Sequence, residues 1–364
     1  FGVILTMISN INIYQSITIM LTSFVVSLVL ISIGLPISKK IGLLDIPNSA
    51  PHKLHKKPMP LIGGFVLIVT LTLIMYIFQL NQYNELVSVL ISGWVIFLFG
   101  LLDDFRNLTV ITKLFGQLCA SVLLVYHGVQ IRFFSSPEFF LHTGTNFDLW
   151  LNVIITICWL LVMTNAFNFV DSMDGLAIGL VSVSVIFFFI ITSVSSHILL
   201  PQFCAAIFGI ALGLYLFNSY PAKLFLGDSG AQTIGFVLGA VAILYNPTIG
   251  NQSSSWFVPI LLFAVPLFDL GFVIVIRIRK GKPLTSSSND HTYHQLVALG
   301  FQKERSILLI HCISLVLCCI GYLCLKLSVI IANIIFVLVL LGFVGLYFIL
   351  GEKYFTMDYR SKDV

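Results

Sequence analysis

Charge is what this chain lacks most. Only 9% of its 364 residues are Asp, Glu, Lys or Arg, while 58% are hydrophobic and the mean hydropathy is +1.04. A soluble chain carries roughly 25% charged residues, so a soluble globular fold is excluded. The net charge of +4 is small, and no nucleic-acid partner is expected. Cysteine is present but not in a useful pattern. Cys119, Cys158, Cys204, Cys312, Cys318, Cys319 and Cys324 all fall inside apolar segments and show no metal-ligand spacing. They read as small buried hydrophobes. A P-loop, a GxGxxG turn and a GxSxG elbow in a fitting context are also missing. So are internal repeats, low-complexity tracts and linkers. Residues 1–364 therefore read as a single membrane domain.

What the chain has instead is long apolar runs. A run of about 20 apolar residues crosses ~30 Å of hydrocarbon as a helix. Backbone groups in lipid must be satisfied internally, which leaves helices or a closed barrel. Barrel strands would alternate polar and apolar residues, and these runs are continuous. The expected fold is all-α, a polytopic integral membrane protein. Eleven spans are predicted near 17–37, 61–80, 84–102, 113–130, 149–167, 175–195, 198–217, 231–246, 256–276, 306–326 and 328–350. With that count, 17 of the 19 Lys and Arg residues fall on one side, leaving only Arg132 and Lys326 opposite. Basic loops stay cytoplasmic, so the N-terminus is expected outside and the C-terminus in the cytoplasm. The expected location is the plasma (inner) membrane.

The scarce acids then stand out. Asp103, Asp104, Asp171, Asp174, Asp228 and Asp290 sit at the edges of apolar segments. Ionisable groups at membrane depth are costly and usually functional. The topology places all of them in loops 102–113, 167–175, 217–231 and 277–305, on the basic, cytoplasmic side. Nothing in the hydropathy demanded that grouping. It points to one site on one face.

Each motif also has a plainer reading. Asp103 and Asp104 repel one another unless a cation or shared proton holds them, though they could simply end a helix. Asn165, Asn168, Asp171 and Asp174 recur every three residues and share a helical stripe. That stripe could bind a polar ligand or glue helices together. Asp228 in LGDSG is flanked by glycines, and also reads as a helix N-cap. His291 and His294 share a face if locally helical. They could donate to phosphate, serve as a base or be ordinary loop residues. His55 lies in a basic loop with His52, Lys53, Lys56 and Lys57, which either anchors the membrane face or attracts anionic substrate. Oxygen-rich ligands favour Mg²⁺ over zinc, with Mn²⁺ as the alternative. Asp269, behind Pro266 inside a span, is either structural or close to the site.

Taken in order, HKKPMPLIGG, GLLDDF with TKLFGQ, NAFNFVDSMDGLA, NSYPAKLFLGDSGA, PLFD and DHTYHQL cover Gly42 to Phe301. This set resembles the polyprenyl-phosphate N-acetylhexosamine-1-phosphate transferases. The resemblance implies transfer of a sugar 1-phosphate from a UDP-sugar to a polyprenyl phosphate, releasing UMP and requiring Mg²⁺. N-acetylglucosamine is the sugar expected, and the product would be the lipid-linked precursor of a cell-envelope polysaccharide. By the same resemblance Asp228 binds metal. Asp103 and Asp104 sit by the lipid phosphate and metal, and Lys113 is near the phosphates. Asn165, Asn168, Asp171 and Asp174 line the nucleotide site, with Phe225 stacking on uracil and Asn218 a polar contact nearby. His291 and His294 belong to a histidine motif. The branch acting on the muramoyl pentapeptide has three consecutive histidines, whereas this chain has His-Thr-Tyr-His. A homodimer is left open. The rivals are an intramembrane aspartyl protease and a cation-coupled transporter. The first leaves the histidines and the basic loop unexplained. The second expects acids near the midplane and inverted repeats.

Overall fold

The computed structural model describes residues 13–47, 57–134, 145–193, 199–245, 256–281, 283 and 291–360, with side chains as far as 351. The chain opens with α1 (Ile13–Ile41). A two-residue strand β1 (Leu44–Asp45) then pairs antiparallel with β2 (Met59–Pro60). Next come α2 (Gly63–Ile77), α3 (Asn84–Arg106), α4 (Val110–Tyr126), α5 (Asn146–Val170), α6 (Leu176–Ser193), α7 (Leu200–Asn218) and α8 (Gly227–Leu244). The remainder is α9 (Val258–Leu262), α10 (Ala264–Arg279), α11 (Thr292–Ala298), α12 (Lys303–Cys324) and α13 (Val329–Arg360).

Among the described residues, eight helices are long and apolar enough to cross a membrane: α1, α3, α5, α6, α7, α8, α12 and α13. Three expected spans are helical but fall short of that measure. Helix α2 has 15 residues and α4 has 17. The segment near 256–276 breaks at Phe263 into α9, of five residues, and α10, of 16. Pro266 explains the break. It has no N–H to give the carbonyl four residues back, and that carbonyl, on Leu262, accepts from Ser184 Oγ (2.8 Å) and Cys318 Sγ (3.7 Å) instead.

The packing is that of a lipid-facing protein. On α1 the buried positions include Ser16, Ser23, Ser27, Gly34 and Ser38, whereas Ile17, Leu21, Val25, Val29, Ile33 and Ile37 are exposed. Small residues let helices approach closely in lipid, and this seam meets Gly209 and Gly213 of α7. Helix α8 is the centre. Every residue from Ser229 to Val241 is buried, against α2, α3 and α5. A helix buried all round reads as interior, and its first turn therefore sits where several helices end. That turn is stitched to the start of α2. Phe225 N donates to Pro60 O (2.9 Å), Gly63 N to Phe225 O (3.2 Å) and Gly64 N to Leu226 O (3.1 Å).

Candidate active site

Helix α8 begins at Gly227, whose φ of 72° lies in the region glycine favours. No side chain from its own N-cap, Leu226, closes the helix end. The cap comes from α3. Asp228 N donates to Asp104 Oδ1 (2.7 Å) and Ser229 N to Asp104 Oδ2 (3.2 Å). The LGDSG sequence suggested that Asp228 would cap the helix. The structure gives that task to Asp104, which leaves the Asp228 carboxylate out of it. Asp104→Ala should therefore cost about 1–2 kcal/mol, the usual worth of a helix cap. Asp104→Asn, which keeps one acceptor, should cost less. Thermal unfolding in detergent reads both, and an alanine variant as stable as wild type would remove Asp104 from this role.

Lys113, in the first turn of α4, lies between two acids. Its Nζ donates to Asp228 Oδ2 (3.1 Å) and forms an ion pair with Asp103. Asp103 is buried, and its Oδ1 accepts from Leu108 N (2.6 Å). The Asp228 side chain is 31% exposed and also takes a hydrogen bond from Asn168. Asp228 thus joins α3, α4, α5 and α8 while keeping an accessible side.

The Asn/Asp stripe is only half helical. Helix α5 ends at Val170, so Asn165 and Asn168 lie on it, while Asp171 is its C-cap and Asp174 falls in the following turn. Asp174 Oδ2 accepts from Ala222 N (3.0 Å). The Asp171 carboxyl is pushed up to about 8. Burial is the main cause, followed by the charges of Asp228, Asp104 and Asp174. Three of the four loops therefore bring their acids within electrostatic reach. Such mutual repulsion is what a bound cation relieves.

Asn165 and Asn218 are used differently from expectation. Asn165 Nδ2 donates to Gln117 Oε1 (2.8 Å) and Leu161 O (2.7 Å), and Gln117 Nε2 donates to Gln232 Oε1 (3.1 Å). This amide chain ties α4, α5 and α8 together below the acids. Asn218 is buried. Its Oδ1 accepts from Gly175 N (3.1 Å) and its Nδ2 donates to Leu224 O (3.1 Å). Its amide binds two loops together rather than facing a ligand. Phe225 is half-buried, with its backbone held against Leu61.

The histidines stand beside the same loop. His291 caps the short helix α11, which His294 enters, so the expected local helix is present. Tyr293 is buried and its hydroxyl bonds Ser172 Oγ, within the Asp171–Asp174 turn. Burial and the charges of Asp269 and Asp171 push the Tyr293 hydroxyl well up. His291 meets the Phe169 ring edge-on (6.0 Å), and the Arg277 guanidinium lies over that ring (5.3 Å). Asp269 Oδ2 pairs with His291 Nδ1 at 2.8 Å. His55 and Asp290 lie outside the described residues.

Sequence reasoning missed Gln117 and Gln232 and left Asp269 undecided. Gln117 sits in TKLFGQ and Asp269 in PLFD, so both were inside quoted motifs. Buried amides and acids in apolar helices were the available signal. Their partners, far off in sequence, were not.

The chain matches a family model and several known proteins. A family model described as Glycosyl transferase family 4 matches residues 86–246. A probable undecaprenyl-phosphate N-acetylglucosaminyl 1-phosphate transferase of Bacillus subtilis is 29% identical over 303 residues, covering 81% of this chain and 82% of its own length. A decaprenyl-phosphate N-acetylglucosaminephosphotransferase of Mycobacterium leprae is 30% identical, covering 71% of each chain. A phospho-N-acetylmuramoyl-pentapeptide-transferase of Halalkalibacterium halodurans is 30% identical, covering 63% of this chain and 75% of its own.

Proposed function

Since this chain belongs to glycosyl transferase family 4, we propose that it moves N-acetylglucosamine 1-phosphate from a UDP-sugar to a polyprenyl phosphate. The single observation that carries the reading is the meeting of Asp103, Asp104, Asp171, Asp174 and Asp228 with Lys113 at one set of helix ends. Two of the relatives act on N-acetylglucosamine and a polyprenyl phosphate by name. The spaced histidines, His291 and His294, favour that branch over the pentapeptide one.

In the reaction, an oxygen of the polyprenyl phosphate attacks the β-phosphorus of the donor. A new P–O bond forms, the bond to the α-phosphate oxygen breaks, and UMP leaves with the electron pair. The attacking phosphate monoester is largely ionised at neutral pH, so no base is required. Positioning and charge neutralisation supply most of the catalysis in such transfers.

The donor set suits Mg²⁺. Its charged ligands are hard carboxylate oxygens, with no thiol among them. Among the described residues no three His, Cys, Asp or Glu side chains are grouped so as to hold an ion by themselves. Mg²⁺ does not need that, since it keeps several waters and binds one or two carboxylates together with substrate phosphates. Asp228 and Asp103 would hold it, and it would supply positive charge to offset that of the phosphates. Lys113 neutralises the same two acids and faces the incoming phosphates. Asn168, Asp171 and Asp174 would meet the nucleotide, and Phe225 would stack on its base. His294 would donate to the diphosphate, and His291 would face the bound donor from the same side. The membrane arrangement is eleven spans with a cytoplasmic C-terminus, supported by the one-sided placement of Lys and Arg.

The test supplies membranes carrying the protein with Mg²⁺ and undecaprenyl phosphate. UDP-N-acetylglucosamine, UDP-N-acetylgalactosamine and UDP-N-acetylmuramoyl pentapeptide are offered separately. Lipid-dependent UMP release from the first donor is expected. Release only from another donor would reassign the sugar, and none from any donor with intact protein would sink the transfer.

A further inference from the structure

Asp269 lies on α10 and is 2% exposed, yet it is one of few acids in the chain. Burying a carboxylate is costly unless its oxygens are satisfied. Here both are. Oδ2 faces His291 Nδ1 at 2.8 Å, and Oδ1 accepts from Thr292 N (2.8 Å) and Thr292 Oγ1 (2.7 Å). All three partners come from the start of α11, so the acid holds the histidine motif from below.

We propose that Asp269 is the positioning residue for His291, fixing which ring nitrogen is presented to the substrate. This rests on the reading above, in which His291 faces the bound sugar nucleotide; the Nε2 presented there accepts from one of its hydroxyl or N–H groups. A carboxylate only accepts, so Nδ1 carries the hydrogen toward Asp269. Nε2 is then the nitrogen turned to the other side, and it makes no hydrogen bond with the described residues. The ring plane is also fixed. Tyr293 stacks on it at 5.2 Å and Phe169 meets it edge-on, so the imidazole cannot turn without displacing both. Tyr293 in turn is bonded to Ser172, beside Asp171. The orientation of His291 is thereby referred to the acid-bearing turn. A carboxylate that orients a histidine through its second nitrogen is a common device at catalytic and metal sites.

The arrangement predicts a specific failure in Asp269→Asn. Thr292 N and Thr292 Oγ1 both donate, so the asparagine oxygen must face them. Its NH₂ then faces His291 and forces Nδ1 to accept. The hydrogen moves to Nε2, the opposite tautomer.

Ring ¹⁵N spectra of histidine-labelled protein in detergent test this without any substrate. The His291 signals are assigned by their loss in His291→Gln, and are followed to the pH at which the ring is neutral. Wild type is expected as the Nδ1–H tautomer and Asp269→Asn as Nε2–H, with Asp269→Glu returning to the wild-type form. A wild-type Nε2–H ring would overturn the proposal, even if Asp269→Asn did not fold.

The functional arm is a double-mutant cycle on UMP release. Asp269→Asn should lower kcat on the order of 10–100-fold, the usual scale for losing such an orienting partner, with little change in KM. In a His291→Gln background the same change should cost almost nothing more, because the residue acts through the histidine. An equal loss in both backgrounds would make Asp269 merely structural. Absence of UMP release from wild type would refute the transfer, while the ring spectra would still decide the pairing.

Discussion

Asp228→Asn is expected to lower lipid-dependent UMP release by at least about 10³-fold, the scale on which charge-stabilising groups act in phosphoryl transfer. The protein should melt as wild type does. The two halves of that expectation have separate causes. The Asp228 carboxylate is outside the apolar core and 31% exposed, and it does not cap its own helix. Asparagine is nearly its shape, and Asp104 continues to hold the helix end through the backbone. What the change removes is one negative charge among Lys113, Asp103 and Asn168. With it gone, Lys113 is drawn to Asp103 alone, and the proposed Mg²⁺ site loses its accessible carboxylate. Paired measurements of turnover and of thermal unfolding check this. Near-normal turnover would show that Asp228 does not hold the cation, whatever else the site does.

How far the chain could be read in advance depended on the range of the interactions. Apolar runs located every described helix except the short α11, because hydropathy is a local property. The gathering of Asp103, Asp104, Asp171, Asp174 and Asp228 was legible for the same reason, since all of them lie at the edges of apolar runs. The break at Phe263 was partly legible. Pro266 announces a lost hydrogen bond, but hydropathy counts apolar residues and does not register it. The stripe from Asn165 to Asp174 misled at its end. Its spacing continues past Val170, yet the helix does not. Ala222 N claims the Asp174 carboxylate and Asn218 claims Gly175 N, so the backbone turns there. Asp104 as a cap, Lys113 as a bridge and Asp269 as a histidine partner were illegible. Asp104 finds its partner 124 residues away, and Lys113, beside Asp103 in sequence, reaches Asp228 115 residues on. Asp269 finds His291 only 22 residues on, but across a helix end and a loop. No local pattern encodes such meetings.

Gly100→Ala should be strongly damaging although it touches no charged group. A Cβ at Gly100 would lie 2.5 Å from Ser229 Cα, 2.8 Å from Ser229 N and 3.0 Å from Asp228 O. Those are backbone atoms at the buried start of α8, so no side chain can swing aside to make room. Gly64 approaches the same turn from α2, with its Cβ position 2.6 Å from Gly230 N. The turn bearing Asp228 is therefore clamped between two helices and cannot retreat. Relief must come from moving α3, and α3 carries Asp103 and Asp104 within a turn of Gly100. Overpacking of this kind costs about 1–3 kcal/mol. The effect on turnover should be larger in proportion, a loss of about 10²-fold, because a displacement near 1 Å suffices to cost that much where reacting groups are positioned. Gly342→Ala on α13 is the matched control. It adds the same methyl to a helix with nothing within 4 Å, and should leave melting and UMP release unchanged. If Gly100→Ala behaved like that control, close packing of α3 on α8 would not be what holds the acids in register. The amide chain of Gln117, Asn165 and Gln232 would then be the structure left to carry that task.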